Sequence, residues 1–206
     1  MEQKMPPRRG RPPAYDRDEV VDKAQALFWR DGASGVSIDA LSAATGLHKP
    51  SLYAAFGGKP GLYLASLDAY IERGAPDLSG ALSTKPLSAA LRAFFEADLE
   101  VFCAGGAHRG CFLIGTAIEA AAEDAEVRQR VQDVFTGLRR TLRTRLETAL
   151  ADGDLGKGAG LDALLEVIFG THVALAVAAR AGSTKAELRK RYESVVRLFE
   201  SFEARD

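Results

Sequence analysis

Hydrophobic positions along the chain recur at intervals of three and four, the period of an amphipathic helix. Val20, Val21, Ala24, Leu27 and Phe28 follow this spacing, and Asp16 with Glu19 three residues on forms a capping-box-like pair that starts a helix. Gly32 marks its stop. After a short loop (residues 33–36) a second start falls at Ser37, and Ile38, Leu41 and Ala44 give an apolar face about two turns long. Thr45-Gly46-Leu47 reads as a tight turn, with Gly46 in left-handed geometry and Leu47 packing back as a plug. Lys49-Pro50 opens a third helix that runs through Phe56 and ends at Gly57-Gly58. Pro60 opens a fourth, with Leu62, Leu64, Leu67 and Ile71 apolar.

Beyond a loop predicted around residues 74–86, five more helices are expected over about 87–104, 111–122, 124–152, 160–181 and 184–204. The breaks are Gly105-Gly106, Glu123-Asp124, the glycine-rich segment 153–160, and Gly182. Thr184 with Glu187 is another capping pair. No strand pattern and no internal repeat stands out. The expectation is an all-α chain of about nine helices.

Composition agrees. The 206 residues include 35 Ala and 24 Leu, both strong helix formers, and no proline occurs from Leu87 to the end. This length suits one or two domains and buries about 70% of the extended-chain surface, so no covalent staple is needed. Two cysteines, Cys103 and Cys111, are too few for a secreted disulfide scaffold. The N-terminus is rich in arginine and proline and lacks an apolar signal region. The longest apolar run, Val167 to Ala179, falls short of the ~20 residues of a membrane span and is interrupted by His172. A cytoplasmic protein with no membrane partner is expected.

Charge changes the picture locally. The net charge of −1 excludes a sequence-blind DNA coat. Yet residues 1–13 carry +3, residues 14–48 carry −3 and residues 49–60 carry +2. Two short helices, Ser37–Ala44 and Pro50–Phe56, joined by a glycine-containing turn, form a helix-turn-helix pattern whose second helix enters a major groove. Small residues Ser51, Ala54 and Ala55 allow close approach to base edges, while Leu52 and Phe56 face the core. Nothing favours an enzyme in the C-terminal helices. No G-x-S-x-G elbow or phosphate loop is present, and the three histidines form no metal-binding pair. No cofactor and no metal are expected.

The matching elements Ala26-Leu27-Phe28 with Gly32, Ser37-Ile38 with Leu41, Gly46, and Ser51-Leu52-Tyr53 followed by Phe56-Gly57 and Lys59 resemble the N-terminal domain of the TetR family of bacterial transcriptional regulators. The resemblance covers about residues 15–70. It implies a homodimer that binds double-stranded DNA at a palindromic operator, usually repressing until a small-molecule effector releases it. It further implies that Tyr53 bonds a phosphate through its hydroxyl and Lys59 meets another. Ser37 would cap the second helix and reach phosphate, and Lys49, Pro50 and Ser51 would face the groove. Val36 stands where the family often has Thr, and Ala54 and Ala55 replace larger polar residues, which leaves base readout to His48, Lys49 or the arm. His48 has an equal alternative as a helix cap.

The resemblance divides the chain into a flexible basic arm (1–14), a helix-turn-helix DNA-binding domain (15–60) and a helical effector-binding and dimerisation domain (61–206). Arg8, Arg9 and Arg11 suit a minor-groove arm, and three cations per subunit would give a salt slope near −5. The alternative is a solubilising tail. Expected effector-pocket residues are Phe94, Phe95, Asp98, Phe102, Phe112, Thr116, Phe135, Arg139, Phe169 and His172, with ordinary core packing as the alternative for the aromatics. Leu164, Ile168, Leu175 and Ala179, with Leu188, Tyr192, Val195 and Phe199, form two apolar stripes that the resemblance assigns to a four-helix dimer interface, the alternative being one chain's own core. Cys103 and Cys111 flank a loop containing Arg109. Two inert buried thiols are the expected reading, the alternative being a redox-responsive thiol acidified beside arginine at a helix start.

Overall fold

The computed structural model describes residues 15–106, 109–156 and 160–203. Among them are nine α-helices and one short 3-10 turn at Ala104–Gly106. The helices are α1 (Arg17–Asp31), α2 (Ile38–Thr45), α3 (Lys49–Phe56), α4 (Lys59–Leu82), α5 (Leu87–Phe102), α6 (Phe112–Glu123), α7 (Ala125–Asp152), α8 (Leu161–Arg180) and α9 (Lys185–Glu200).

Local chemistry sets most of the boundaries. The Asp16 side chain accepts from the Asp18 and Glu19 amides, and Asp124 accepts from those of Glu126 and Val127. Thr184 and Glu187 form a complete reciprocal capping box at the start of α9. Gly46, Gly57 and Gly153, all left-handed, close α2, α3 and α7.

One boundary departs from expectation. Residues 74–82, predicted as loop, continue α4 to Leu82. Leu82 is buried at 4% exposure and Leu78 packs against the core. Burying leucines is worth about 1.5–3 kcal/mol each, which offsets the roughly 3 kcal/mol of an interior proline. Tertiary packing therefore outweighs the breakers at 74, 76 and 80.

Helix α1 packs on α2, α4 and α6, and α3 lies across α2 and α4. The long α4 also touches α5, α6 and α7, so it belongs to both halves of the molecule and bridges the expected boundary at residue 60. Helix α5 runs through the centre of the C-terminal half against α4, α8 and α9, with Leu91, Phe94, Phe95 and Leu99 fully buried. Outside this core, Arg92 pairs with Glu193 and Glu200, Lys185 with Glu100, and Arg189 with Glu96, which tie α5 to α9. The hydrogen bonds from Arg189 hold the Glu96 carboxyl down at about 2.

Helix α8 corrects the apolar-run estimate. It has 20 residues and a mean hydropathy of 1.7, enough by length and composition to cross a membrane. In the fold it packs between α5, α6, α7 and α9, with Leu164, Leu165, Ile168, Leu175, Ala176 and Ala179 buried. It is a core helix, exposed at Asp162, Ala163 and Glu166 near its start and at Gly170, Ala174 and Val177 further along.

Candidate nucleic-acid interface and inner polar site

The two short helices are held at a fixed angle by polar bonds within the turn. Ser37 caps α2, its Oγ accepting from the Ala40 amide at 3.1 Å. The Thr45 hydroxyl donates to the Leu41 carbonyl at 2.7 Å and accepts from the Leu47 amide at 3.3 Å, while Ser42 Oγ donates to the Leu47 carbonyl at 2.6 Å. Leu47 packs on the core as expected. Leu52 is fully buried and Phe56 nearly so, which turns the opposite face of α3 outward.

That face carries His48, Lys49, Pro50, Ser51, Tyr53 and Ala54, all exposed. Tyr53 is 57% exposed, unusual for so large an apolar ring. A Cβ at Gly58 would fall 2.8 Å from the Tyr53 ring, so the glycine makes room for it. His48 occupies the N-cap position of α3, but its side chain makes no capping hydrogen bond. Its ring is therefore not committed to the helix end. The half-buried Lys59 at the start of α4 donates to the Ser34 carbonyl at 3.4 Å. A Cβ at Gly61 would lie 1.7 Å from the Phe56 carbonyl oxygen, so α4 begins hard against the end of α3. Arg8, Arg9 and Arg11 lie outside the described residues.

Three residues here escaped sequence reasoning. Arg17, at the start of α1, donates to the Ala55 carbonyl at 3.2 Å and lies 4.3 Å above the Phe56 ring, clamping the end of α3. Asp39 pairs with Lys49 at 2.5 Å. Arg180, ending α8, donates to the backbone carbonyls of Trp29 at 2.5 Å and Arg30 at 3.2 Å. Trp29 in turn donates from Nε1 to the Arg109 carbonyl at 2.9 Å. These partners lie 10 to 151 residues apart, beyond any local pattern.

The ten expected pocket residues fall into separate groups. Asp98 and His172 form a buried pair, Oδ2 to Nδ1 at 2.8 Å, between the rings of Phe94 and Phe102. Burial pushes the Asp98 carboxyl up, and the Asp98 charge and hydrogen bond push His172 up against the opposing effect of burial. Phe95 instead stacks on Tyr192 of α9, with centroids 5.5 Å apart. Phe112 and Thr116 belong to the junction with the N-terminal half. Phe112 contacts Trp29, Tyr63 and Tyr70. The Thr116 hydroxyl donates to the Phe112 carbonyl and accepts from Tyr63, whose phenol is pushed up to about 12 by burial. Phe135, Arg139 and Phe169 sit at the α7–α8 surface, with Arg139 stacked on Phe169 and paired with Glu166. A cleft of about 250 Å³ lies between the two halves, lined by Ser34, Lys59, Tyr63, Glu123 and Val127 among others. None of the ten residues lines it.

The assigned interface stripes face inward. Leu164, Ile168, Leu175, Ala179, Leu188, Tyr192 and Phe199 are buried within one chain, and Val195 alone of the eight is partly exposed. An apolar stripe on a long helix is first its own subunit's core. The outward faces carry Gly170, Ala174 and Val177 on α8 and Ser194 and Leu198 on α9. Val177, Leu198 and Phe202 are exposed large hydrophobics.

The thiols are not acidified. Burial pushes both Cys103 and Cys111 up, and outweighs the α6 amides and the Tyr70 hydroxyl near Cys111. Cys111 is itself buried, at 5% exposure.

The family model described as "Bacterial regulatory proteins, tetR family" matches residues 20–66, and "Tetracyclin repressor-like, C-terminal domain" matches residues 88–195. The chain is 31% identical over 193 residues to the HTH-type transcriptional repressor ComR of Escherichia coli, covering 93% of this chain and 92% of that protein. A cysteine-substituted TetR family transcriptional regulator CifR, complexed with 26-bp double-strand operator DNA, superposes with a TM-score of 0.84 at 27% identity, over 92% of this chain and 100% of that one. A TetR transcriptional regulator from Chloroflexus aurantiacus gives a TM-score of 0.79 at 29% identity, over 91% and 95%. With family models matching both halves and a relative alike over nearly its whole length, the chain belongs to the TetR family of bacterial regulatory proteins.

Proposed function

We propose that this chain is a sequence-specific DNA-binding transcriptional repressor that binds a palindromic operator as a homodimer and leaves it when a small-molecule effector binds. One observation carries this reading: α3 buries Leu52 and Phe56 and turns His48, Lys49, Ser51 and Tyr53 outward as one polar, cationic edge. The exposed edge of a short helix with this chemistry suits a major groove. Tyr53, Lys59 and Ser37 hold phosphates, His48, Lys49 and Ser51 approach bases, and Pro50 starts the helix. Arg8, Arg9 and Arg11 add minor-groove contacts. Support comes from ComR, named a transcriptional repressor, and from CifR bound to operator DNA.

The C-terminal half serves regulation, not catalysis. The Asp98–His172 pair, walled by Phe94 and Phe102, is the polar feature best placed to orient an effector in an otherwise apolar interior. Dimerisation uses the outward faces of α8 and α9, where Gly170 and Ala174 let helices approach and Val177 and Leu198 supply apolar area.

The test is fluorescence anisotropy with duplex from the protein's own upstream region across a salt series. Binding that weakens steeply with salt and saturates at two chains per site supports the reading. No binding at 50 mM salt overturns it. Removing residues 1–14 should flatten the log–log slope by about 5, the share of six arm contacts per dimer.

A further inference from the structure

Residues 33–60 contain one acid, Asp39, and two lysines, Lys49 and Lys59. Asp39 lies in the first turn of α2 and Lys49 in the first turn of α3, and their side chains meet at 2.5 Å across the mouth of the helix-turn-helix. Both remain largely in water, Asp39 at 73% and Lys49 at 46% side-chain exposure. An exposed pair of this kind is weakly held and exchanges readily for a stronger partner. Lys59 donates to the Ser34 carbonyl at 3.4 Å, a long contact, and forms no ion pair among the described residues.

We propose that Asp39 is a specificity-determining residue that keeps Lys49 from binding arbitrary DNA. This inference rests on the DNA-binding reading above and deepens it. On duplex of any sequence, Lys49 stays paired with Asp39 and its charge adds nothing to the non-specific grip. On the operator, close seating of α3 brings a phosphate or a base acceptor to Lys49 Nζ, and the lysine leaves Asp39 for it. Asp39 thus lowers affinity for the wrong DNA more than for the right DNA, and discrimination rises through the difference. An acid at the first turn of α2 also suits that helix's positive end, so a purely structural role has to be separated from this one.

Counterion release separates them. Each phosphate neutralised adds about −0.9 to the slope of log K against log salt, so one freed lysine per subunit steepens it by about 1.8 per dimer. The experiment measures anisotropy with operator and with scrambled duplex for the wild type, Asp39→Asn, Asp39→Glu, Lys49→Gln and the Asp39→Asn/Lys49→Gln double variant. Asp39→Asn should bind scrambled duplex several-fold more tightly, with that steeper slope, and lose part of its operator preference. Asp39→Glu should restore wild-type behaviour, and the double variant should match Lys49→Gln alone. Three outcomes overturn the proposal. The slope on scrambled duplex is unchanged in Asp39→Asn, or the double variant keeps the gain, or Asp39→Asn weakens operator binding at one base pair, as expected if the carboxylate itself reads a cytosine amine. Wild-type protein that binds no duplex overturns the DNA-binding reading and this proposal with it, whereas wild-type binding with an unchanged Asp39→Asn slope overturns this proposal alone.

Discussion

His172 Nδ1 and Asp98 Oδ2 stand 2.8 Å apart in the interior, joining α8 to α5 across a layer of phenylalanines. Both values are raised, so the folded chain binds protons more tightly than the unfolded one. For His172 this stability is fully present below its ordinary 6.5 and is lost as pH rises through the raised value. The melting temperature should therefore fall as pH goes from 6.5 to 8. Replacing His172 by Gln should remove most of that fall, and Asp98→Ala should cost roughly 3 kcal/mol by stranding its partner. Thermal melts across this pH range check both.

Tyr53→Phe keeps the ring against Gly58 and removes only the hydroxyl. Operator affinity should drop about 3- to 10-fold, the value of one hydrogen bond to a charged group, without altering dimerisation. Anisotropy beside sedimentation reads this. An unchanged Kd would show that the hydroxyl anchors no phosphate.

Gly61→Ala places a Cβ on the Phe56 carbonyl oxygen, which α4 cannot avoid without moving off α3. The loss should exceed about 3 kcal/mol and take operator binding with it. Gly46→Ala meets no neighbour and pays only for its left-handed φ of 75°, about 1 kcal/mol. Chemical denaturation should rank the two in that order.

Val177→Glu on the outer face of α8 should yield folded monomers with an unchanged helical spectrum. Leu188→Glu, at a fully buried position, should unfold the chain instead. Sedimentation and circular dichroism distinguish them. A dimeric Val177→Glu would place the interface elsewhere.

Arg180→Met removes donors from the carbonyls that end α1. A stability loss of about 1.5–3 kcal/mol is expected, because hydrogen bonds to a charged group are replaced by unpaired or hydrated carbonyls. Protease cleavage near Gly32, quicker than in the wild type, is the accompanying readout.

Much of this protein is legible in its sequence. Helix periodicity, the caps at Asp16, Ser37 and Thr184, and the glycine stops are local properties, decided within four residues, and the observed helix ends follow them. The outward face of α3 was legible for the same reason, since a short helix with Leu52 and Phe56 on one side has a single way to bury them. Tertiary structure decided the rest. Packing carried α4 past its breakers to Leu82, and it claimed the long stripes of α8 and α9 for one subunit's own core. A hydrophobic stripe records that a face is buried but not against what. Desolvation raised both thiols, and the pairs Asp39–Lys49, Asp98–His172 and Arg180–Trp29 joined residues 10, 74 and 151 positions apart in the chain. Such contacts depend on where separate helices come to rest, and no run of adjacent residues encodes that.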